Sequence, residues 1–334
     1  MKLKGYMGDK LQIGIVGAGS NTRNRHIPGF QSIDGVEVVV LANRTRESSQ
    51  RVADSFGIRR IAEKWEDVVS DPGVDAVCIG TWPNLHAAAT IAALENGKHV
   101  LTEARMARNL EEAEQMLAAS RAHPDLVAQI VPAPMSLDLD STIARILGEG
   151  SLGEVREIFQ THTGSQFVDE DSPISWRQDR SLSGNNILTM GIMHEMIQRW
   201  VPGNPEWLVA DGAVFTKERT NSETGELQRV DIPDSVGILG AYASGARMIY
   251  HFSGVDSGAA RMESRINGSL GAIRVDLSAQ EITIAKSGGG EEEIVQVPPE
   301  EKRGWRVEAD FVSSIRNGDP VELTGFEAGV SYMR

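Results

Sequence analysis

In the stretch "HVLTEARMA", Glu103 and Arg105 stand on either side of Ala104, directly after a short apolar run. An ionised carboxylate only accepts protons and a guanidinium keeps its own, so this pair can bind or polarise but supplies no acid near neutral pH. A second stretch, "HEMIQ" at 194–198, sets His194, whose ring titrates near neutrality, beside Glu195. A zinc site with this spacing would need a second histidine where Gln198 stands, and there is no cysteine cluster, so no metal is expected. Neither a G-x-S-x-G elbow nor a Walker loop occurs.

A third stretch, "IGIVGAGSNTRNRHIPGF", follows the start of an apolar run. Gly17 permits a tight turn, Gly19 lets a pyrophosphate approach the backbone, and the helix that follows offers free amide donors. Ser20, Asn21 and Thr22 complete the loop. Asn21 and Thr22 stand where a third small residue usually closes this fingerprint, and the loop reads one residue long. Between a strand and a helix, the pattern points to dinucleotide binding. The next apolar run ends "LANRTRE", with no Asp or Glu to meet the ribose hydroxyls. Asn43 and Arg44 suit a 2'-phosphate instead, so NADP is favoured over NAD.

These loops need a scaffold to hold them. With 334 residues, 40% hydrophobic and 24% charged, the chain should form two soluble domains. Its net charge of −14, with dispersed basic residues, argues against a nucleic-acid partner. Cys78 has no second cysteine to pair with, which fits a reducing cytoplasm. "MKLKGYMGDK" lacks a signal-like apolar region and no apolar run approaches membrane-spanning length, so a cytoplasmic, membrane-free protein is expected.

From 11 to 131 short β-rich runs ("LQIGIV", "VEVVVLA", "VDAVCIG", "HVL", "LVAQIV") alternate with helix-like segments ("RESSQRVADSF", "NLHAAATIAALENG", "NLEEAEQMLAASRA"). Such alternation predicts a doubly wound parallel sheet over 1–132. After "VPAPM" and a helix at 137–147, strands are predicted at 154–163, 207–216, 235–242, 246–252, 261–267, 271–276 and 281–285. Helices are expected at 189–200 and from about 306. This gives a second, α+β domain over 133–334 with a large, mostly antiparallel open sheet. "SGGGEEE" and "KERTNSETGE" read as solvated hairpin tips.

Taken together, "GIVGAG", "VDAVCIGTWPNLHAAATIAALENGKHVLTEARMA", "EGSLGEV", "SWRQD" and "GIMHEMIQRW" resemble the Gfo/Idh/MocA oxidoreductases across nearly the whole chain. The resemblance implies a Rossmann domain, a nicotinamide cofactor across the strand ends, sugar-like or polyol-like substrates, and homodimers or homotetramers built on the exposed sheet face. Chains of the family usually continue beyond the point where "FEAGVSYMR" stops.

The family's catalytic motifs do not carry over intact. Where the family has Glu-Lys-Pro, this chain has Glu103, Ala104 and Arg105. The family's cis peptide falls before that Pro, and a cis bond before another residue costs about 2.5 to 4 kcal/mol, so a trans bond is expected here. In the second motif, Thr189 occupies the family's Asp position and Met193 its His position.

Two readings follow. Either neighbours rebuild the chemistry, with His194 as acid/base, Glu195 orienting it and Arg105 polarising substrate, or the protein senses dinucleotide without turnover. Bound NAD(P) used for epimerisation or elimination is a further option. The resemblance also places Thr81, Trp82, His86 and Glu103 at the cofactor, and Trp176 and Arg177 near the substrate, with Arg177 for an anionic group. His162, in "THT", ranks below His194 as a substitute histidine.

Overall fold

The computed structural model describes residues 10–288 and 290–334. The chain divides into two compact units: one takes the described residues up to Pro132 together with Arg306–Arg334, the other is Ala133–Trp305. The expected second domain, 133–334, therefore does not hold together as drawn, because its last segment packs with the first unit.

The first unit contains strands β1 (Leu11–Val16), β2 (Val36–Ala42), β3 (Arg60–Ile61), β4 (Ala76–Ile79), β5 (His99–Thr102) and β6 (Ala128–Ile130). They form one parallel sheet in the order β3-β2-β1-β4-β5-β6. Its helices are α1 (Ile27–Gln31), α2 (Arg46–Phe56), α3 (Trp65–Val69), α4 (Pro83–Glu95) and α5 (Leu110–Ala122). Strands β4, β5 and β6 are buried at every residue, as a sheet covered on both faces requires.

Side chains set the helix ends. Thr45 Oγ1 accepts from the Ser48 N–H at 3.2 Å to start α2, which stops at Gly57 in the left-handed region. Asn109 starts α5 by accepting from the Glu112 N–H at 2.9 Å.

The second unit runs through α6 (Asp140–Gly148), β7 (Val155–Thr163), α7 (Arg180–Ser183), α8 (Met190–Trp200), β8 (Pro205–Ala213), β9 (Glu218–Thr220), β10 (Leu227–Arg229), β11 (Ser235–Tyr242), β12 (Arg247–Ser253), β13 (Arg261–Gly268), β14 (Gly271–Asp276), β15 (Glu281–Lys286) and β16 (Glu293–Val295). Eight of these strands form a mixed sheet ordered β16-β15-β14-β13-β7-β12-β11-β8, in which only the β7–β12 pairing is parallel. Alternate residues such as Val236, Ile238, Met248, Tyr250, Phe252 and Ile266 are buried in one core with Ile143, Met193 and Ile197 of α6 and α8. On β8 and β11, Trp207, Leu208, Val209 and Leu239 are exposed.

The segment read as the tip "KERTNSETGE" is only partly solvated. It contains β9, which pairs with β10, and Arg219 within it is among the largest fully enclosed side chains. The Arg219 guanidinium donates to the carbonyls of Asp169, Ser172 and Phe167 at 2.6, 3.0 and 2.8 Å. The other expected tip, "SGGGEEE", includes residue 289, outside the described residues.

Two final helices, α9 (Val307–Asn317) and α10 (Phe326–Met333), belong to the first unit. α9 packs on α1, and α10 packs on α5 and β6. The Ile130 N–H donates to the Thr324 carbonyl at 2.9 Å, and Gln129 bridges to Gly325, so this segment covers the outer edge of the parallel sheet. Gly329 permits the close approach, since a Cβ there would collide with Ile130 and Met106.

Candidate active site

The turns after β1, β2, β4 and β5 emerge at the carboxyl edge of the parallel sheet, where such folds hold ligands. Gly17 has φ of +81°, and a Cβ on it would collide with Thr81. A Cβ on Gly80 would meet the Thr22 hydroxyl and the Gly17 carbonyl, so the two turns pack closely, with Thr22 and Thr81 filling the space that the glycines leave. The residue by which the loop reads too long is absorbed in a π-helical turn, Thr22–His26.

Several residues expected at the cofactor shape this loop. The Asn43 Oδ1 accepts from the Ala18 N–H at 2.6 Å and its Nδ2 donates to Ser48 Oγ at 3.1 Å, so its amide holds the glycine turn instead of reaching outward. Thr22 is buried under Gly80. Ser20 is exposed, its hydroxyl accepting from Asn24 at 3.2 Å. Arg44 is exposed, with its guanidinium carbon 5.8 Å from the centre of the Trp82 ring. That pair forms an open cationic and aromatic corner beside the glycine turn. Thr81 donates its hydroxyl hydrogen to the Trp82 carbonyl at 3.1 Å.

His86 is enclosed, with Nδ1 3.0 Å from the Arg105 carbonyl and Nε2 3.1 Å from the Thr81 carbonyl. Burial pushes its pKa down. It braces the β4 turn against the β5 turn and is not open to a ligand.

The β5 turn also departs from expectation. The Ala104–Arg105 peptide is cis, not trans. The neighbouring backbone is held by His86 at the Arg105 carbonyl and by the Met106 N–H, which donates to the Tyr332 hydroxyl at 2.6 Å. Arg105 itself is 4% exposed, so it lies inside the unit and not on an open rim.

Glu103 joins a buried cluster. Its Oε1 accepts from Asn21 Nδ2 at 2.6 Å and lies 3.0 Å from His26 Nε2, while His26 Nδ1 meets Glu308 on α9 at 2.5 Å. Burial opposes charge on His26, but hydrogen bonds and attraction from both carboxylates raise its pKa to about 9. Burial likewise opposes charge on Glu103, and the His26 bond overrides it, holding the carboxyl below its ordinary range. His26 and Glu308 carried no motif that would mark them.

In the second unit His194 proves unsuited to the role expected of it. Its Nδ1 lies 3.2 Å from the hydroxyl of Tyr250 on the sheet's core face, and burial pushes its pKa down to about 4. Glu195 does not orient it and is not solvated. It is 3% exposed, with Oε2 accepting from the Ala133 N–H at 3.0 Å and Oε1 3.3 Å from Arg199. Met193 points into the core.

His162 on β7, by contrast, is half-buried, with Nδ1 2.6 Å from the Thr189 hydroxyl at the start of α8. Burial pushes its pKa down, favouring the neutral ring. Trp176 and Arg177 lie on a short 3-10 turn capped by Ser175, with the Arg177 guanidinium 4.2 Å from the Trp176 ring centre.

Residues 11–129 match the oxidoreductase family with an NAD-binding Rossmann fold described as GFO_IDH_MocA, and residues 141–274 match the GFO/IDH/MocA C-terminal domain. The chain belongs to the Gfo/Idh/MocA family. It is 25% identical to levoglucosan dehydrogenase of Pseudarthrobacter phenanthrenivorans over 62% of this chain and 56% of that protein. It is 37% identical to 1,5-anhydro-D-fructose reductase of Ensifer adhaerens over 32% of each. For the levoglucosan dehydrogenase, the matched part is thus only about half the relative's length.

Among solved structures, the complex of levoglucosan dehydrogenase with NADH and levoglucosan superposes with a TM-score of 0.85 at 23% identity, covering 97% of this chain and 95% of that one. An oxidoreductase domain protein from Kribbella flavida gives a TM-score of 0.85 at 21% identity, over 98% and 95%. These likenesses establish the shared fold. Among the described residues no helix is long and apolar enough to cross a membrane.

Proposed function

We propose that this Gfo/Idh/MocA protein is a cytoplasmic NAD(P)-dependent oxidoreductase that moves hydride between the nicotinamide and a sugar-like or polyol-like substrate. The observation that carries the reading is the close packing of the β1 turn on the β4 turn, at the carboxyl edge of the parallel sheet, with Gly19 bringing bare backbone to it: a Cβ on Gly19 would have only the Gly80 carbonyl within 4 Å. A pyrophosphate needs that close backbone approach. Relatives named as dehydrogenase and reductase of anhydrosugars support the substrate class.

When bound, the nicotinamide supplies hydride transfer. The chain's own residues must hold the dinucleotide, bind the substrate and handle a proton. Arg44, with Trp82 beside it and no carboxylate at the end of β2, favours the 2'-phosphate of NADP. Trp176 and Arg177 are assigned to the substrate, with Arg177 for an anionic or strongly polar group.

For the proton we assign His162 in place of His194. With Nδ1–H donated to the Thr189 hydroxyl, Nε2 keeps its lone pair and serves as general base towards a substrate hydroxyl. The exposed Trp207, Leu208, Val209 and Leu239 support assembly into a homodimer or homotetramer.

Titration with NADPH and NADH, followed by turnover against a panel of sugars, polyols and their keto forms, tests the function. Binding with turnover is expected. Binding without turnover on the whole panel would favour a dinucleotide sensor, and failure to bind either cofactor would overturn the reading.

A further inference from the structure

His26 is fully enclosed at a junction of three segments of the first unit: the turn that follows β1, the turn that follows β5, and α9. Its Nε2 lies 3.0 Å from a Glu103 oxygen and its Nδ1 lies 2.5 Å from a Glu308 oxygen. A neutral imidazole has one N–H and one lone pair, and a lone pair facing a carboxylate repels it. Two carboxylates on opposite ring nitrogens therefore require both nitrogens to carry hydrogen. Asn21 Nδ2 also lies 3.3 Å from Nε2, and with Glu103 and Glu308 both ionised this geometry favours the imidazolium.

The same Glu103 oxygen that faces His26 also accepts from Asn21, which sits two residues beyond Gly19 in the glycine turn. The proton on His26 thus fixes Glu103, Glu103 fixes Asn21, and Asn21 belongs to the segment that must stay in place for a dinucleotide to approach. Other titratable groups feel the cluster. The Cys78 thiol on β4 is pushed up by burial and by the charges of Glu103 and Glu308, and His86 on α4 interacts electrostatically with Glu103.

We propose that protonated His26 is a positioning residue for cofactor binding, tying the glycine turn through Glu103 and Asn21 to the β5 turn and through Glu308 to the C-terminal helix α9. The inference rests on reading the first unit as a dinucleotide binder. Loss of the proton removes one of the two N–H groups of the ring, so its hold on Glu103 or on Glu308 weakens and the Asn21–Glu103 hydrogen bond is left to tie the turns with less support. Dinucleotide affinity should therefore fall in the alkaline range, where the loop's own residues carry no other reason to change.

The test is the NADH dissociation constant of the full chain, read by fluorescence from pH 6 to 10, with a thermal melt at each pH. The wild type should bind evenly up to about pH 8 and lose about tenfold by pH 10, as a ring held by two carboxylates gives up its proton. H26Q should bind about tenfold more weakly at pH 7, with the alkaline fall abolished. E308Q leaves one carboxylate on the ring, and should move the fall towards acid by about one pH unit, an opposite charge at this range being worth one to three.

A purely structural role would lower the melting temperature of H26Q yet leave the pH profile of binding parallel to wild type, which would overturn the proposal. Should H26Q not fold, E308Q decides it: an unmoved alkaline fall overturns the proposal and a shifted one supports it. A wild-type chain that binds no dinucleotide at any pH would instead overturn the function proposed above.

Discussion

Nδ1 of His162 and the hydroxyl of Thr189 stand 2.6 Å apart, joining strand β7 to the entrance of helix α8 across 27 residues of chain. The contact fixes the orientation of the ring, and when Nδ1–H donates to the hydroxyl, Nε2 is left with its lone pair.

If His162 is the base, His162→Gln should lower kcat by about 10² to 10⁴ while leaving the NADH dissociation constant within about twofold. Thr189→Val should lower kcat about tenfold by removing the hydroxyl that orients the ring. His194→Gln should have little effect on kcat beyond any loss of stability. Steady-state rates with a cofactor titration separate these outcomes, and a silent His162→Gln with a crippled His194→Gln would reverse the assignment. Because burial lowers the His162 pKa, the acid limb of the oxidation rate should fall below pH 6.5, where an ordinary histidine titrates.

The proposed preference for NADP rests on Arg44. Replacing it by alanine should weaken NADPH about tenfold or more and NADH by less than twofold, since only NADPH brings a 2'-phosphate to pair with the guanidinium. Fluorescence titration with both cofactors checks this, and equal losses would remove Arg44 from the phosphate.

The His26 cluster also links stability to pH. Its folded-state pKa of about 9 lies above the ordinary 6.5 of an exposed histidine, so its stabilisation is complete below pH 6.5 and disappears as pH rises through 9. A shift of that size corresponds to something on the order of 3 kcal/mol. Urea midpoints of the wild type should fall between pH 7 and 10, and those of His26→Gln should change much less.

Arg219 offers a test away from cofactor and substrate. Arg219→Met leaves the carbonyls of Phe167, Asp169 and Ser172 without the donor they now share, at a cost of about 3 kcal/mol or more. Chemical denaturation reads the loss. Hydrogen exchange should localise it to residues 167–172, and an unchanged midpoint would mean that the loop finds other donors.

What the sequence displayed was local. The alternation of β-rich runs and helices announced the parallel sheet, and "SVGILGAY" and "RMIYHFS" announced alternating strands, because each pattern repeats within a few residues. The glycine turn was legible for the same reason. The His26 cluster was not, since its members lie 77 and 282 residues apart and no period relates them. His194 stands next to the motif position in sequence, but one residue of helix turns a side chain by about 100°. In the structure that rotation aims His194 at Tyr250. Arg219 sat in a run of polar residues that looked solvated, and only the carbonyls brought from 167–172 show why it is buried.

The return of Arg306–Arg334 to the first unit makes the second unit an insertion within it. On a ribosome the parallel sheet emerges early, yet the segment that covers the edge of β6, and Glu308, which completes the His26 cluster, leave the exit tunnel only after all of Ala133–Trp305 has been made. Until then, His26 and Glu103 have no second carboxylate and β6 has no cover. Maturation of the dinucleotide-binding unit therefore waits on synthesis of the inserted unit, whichever of the two begins to fold first.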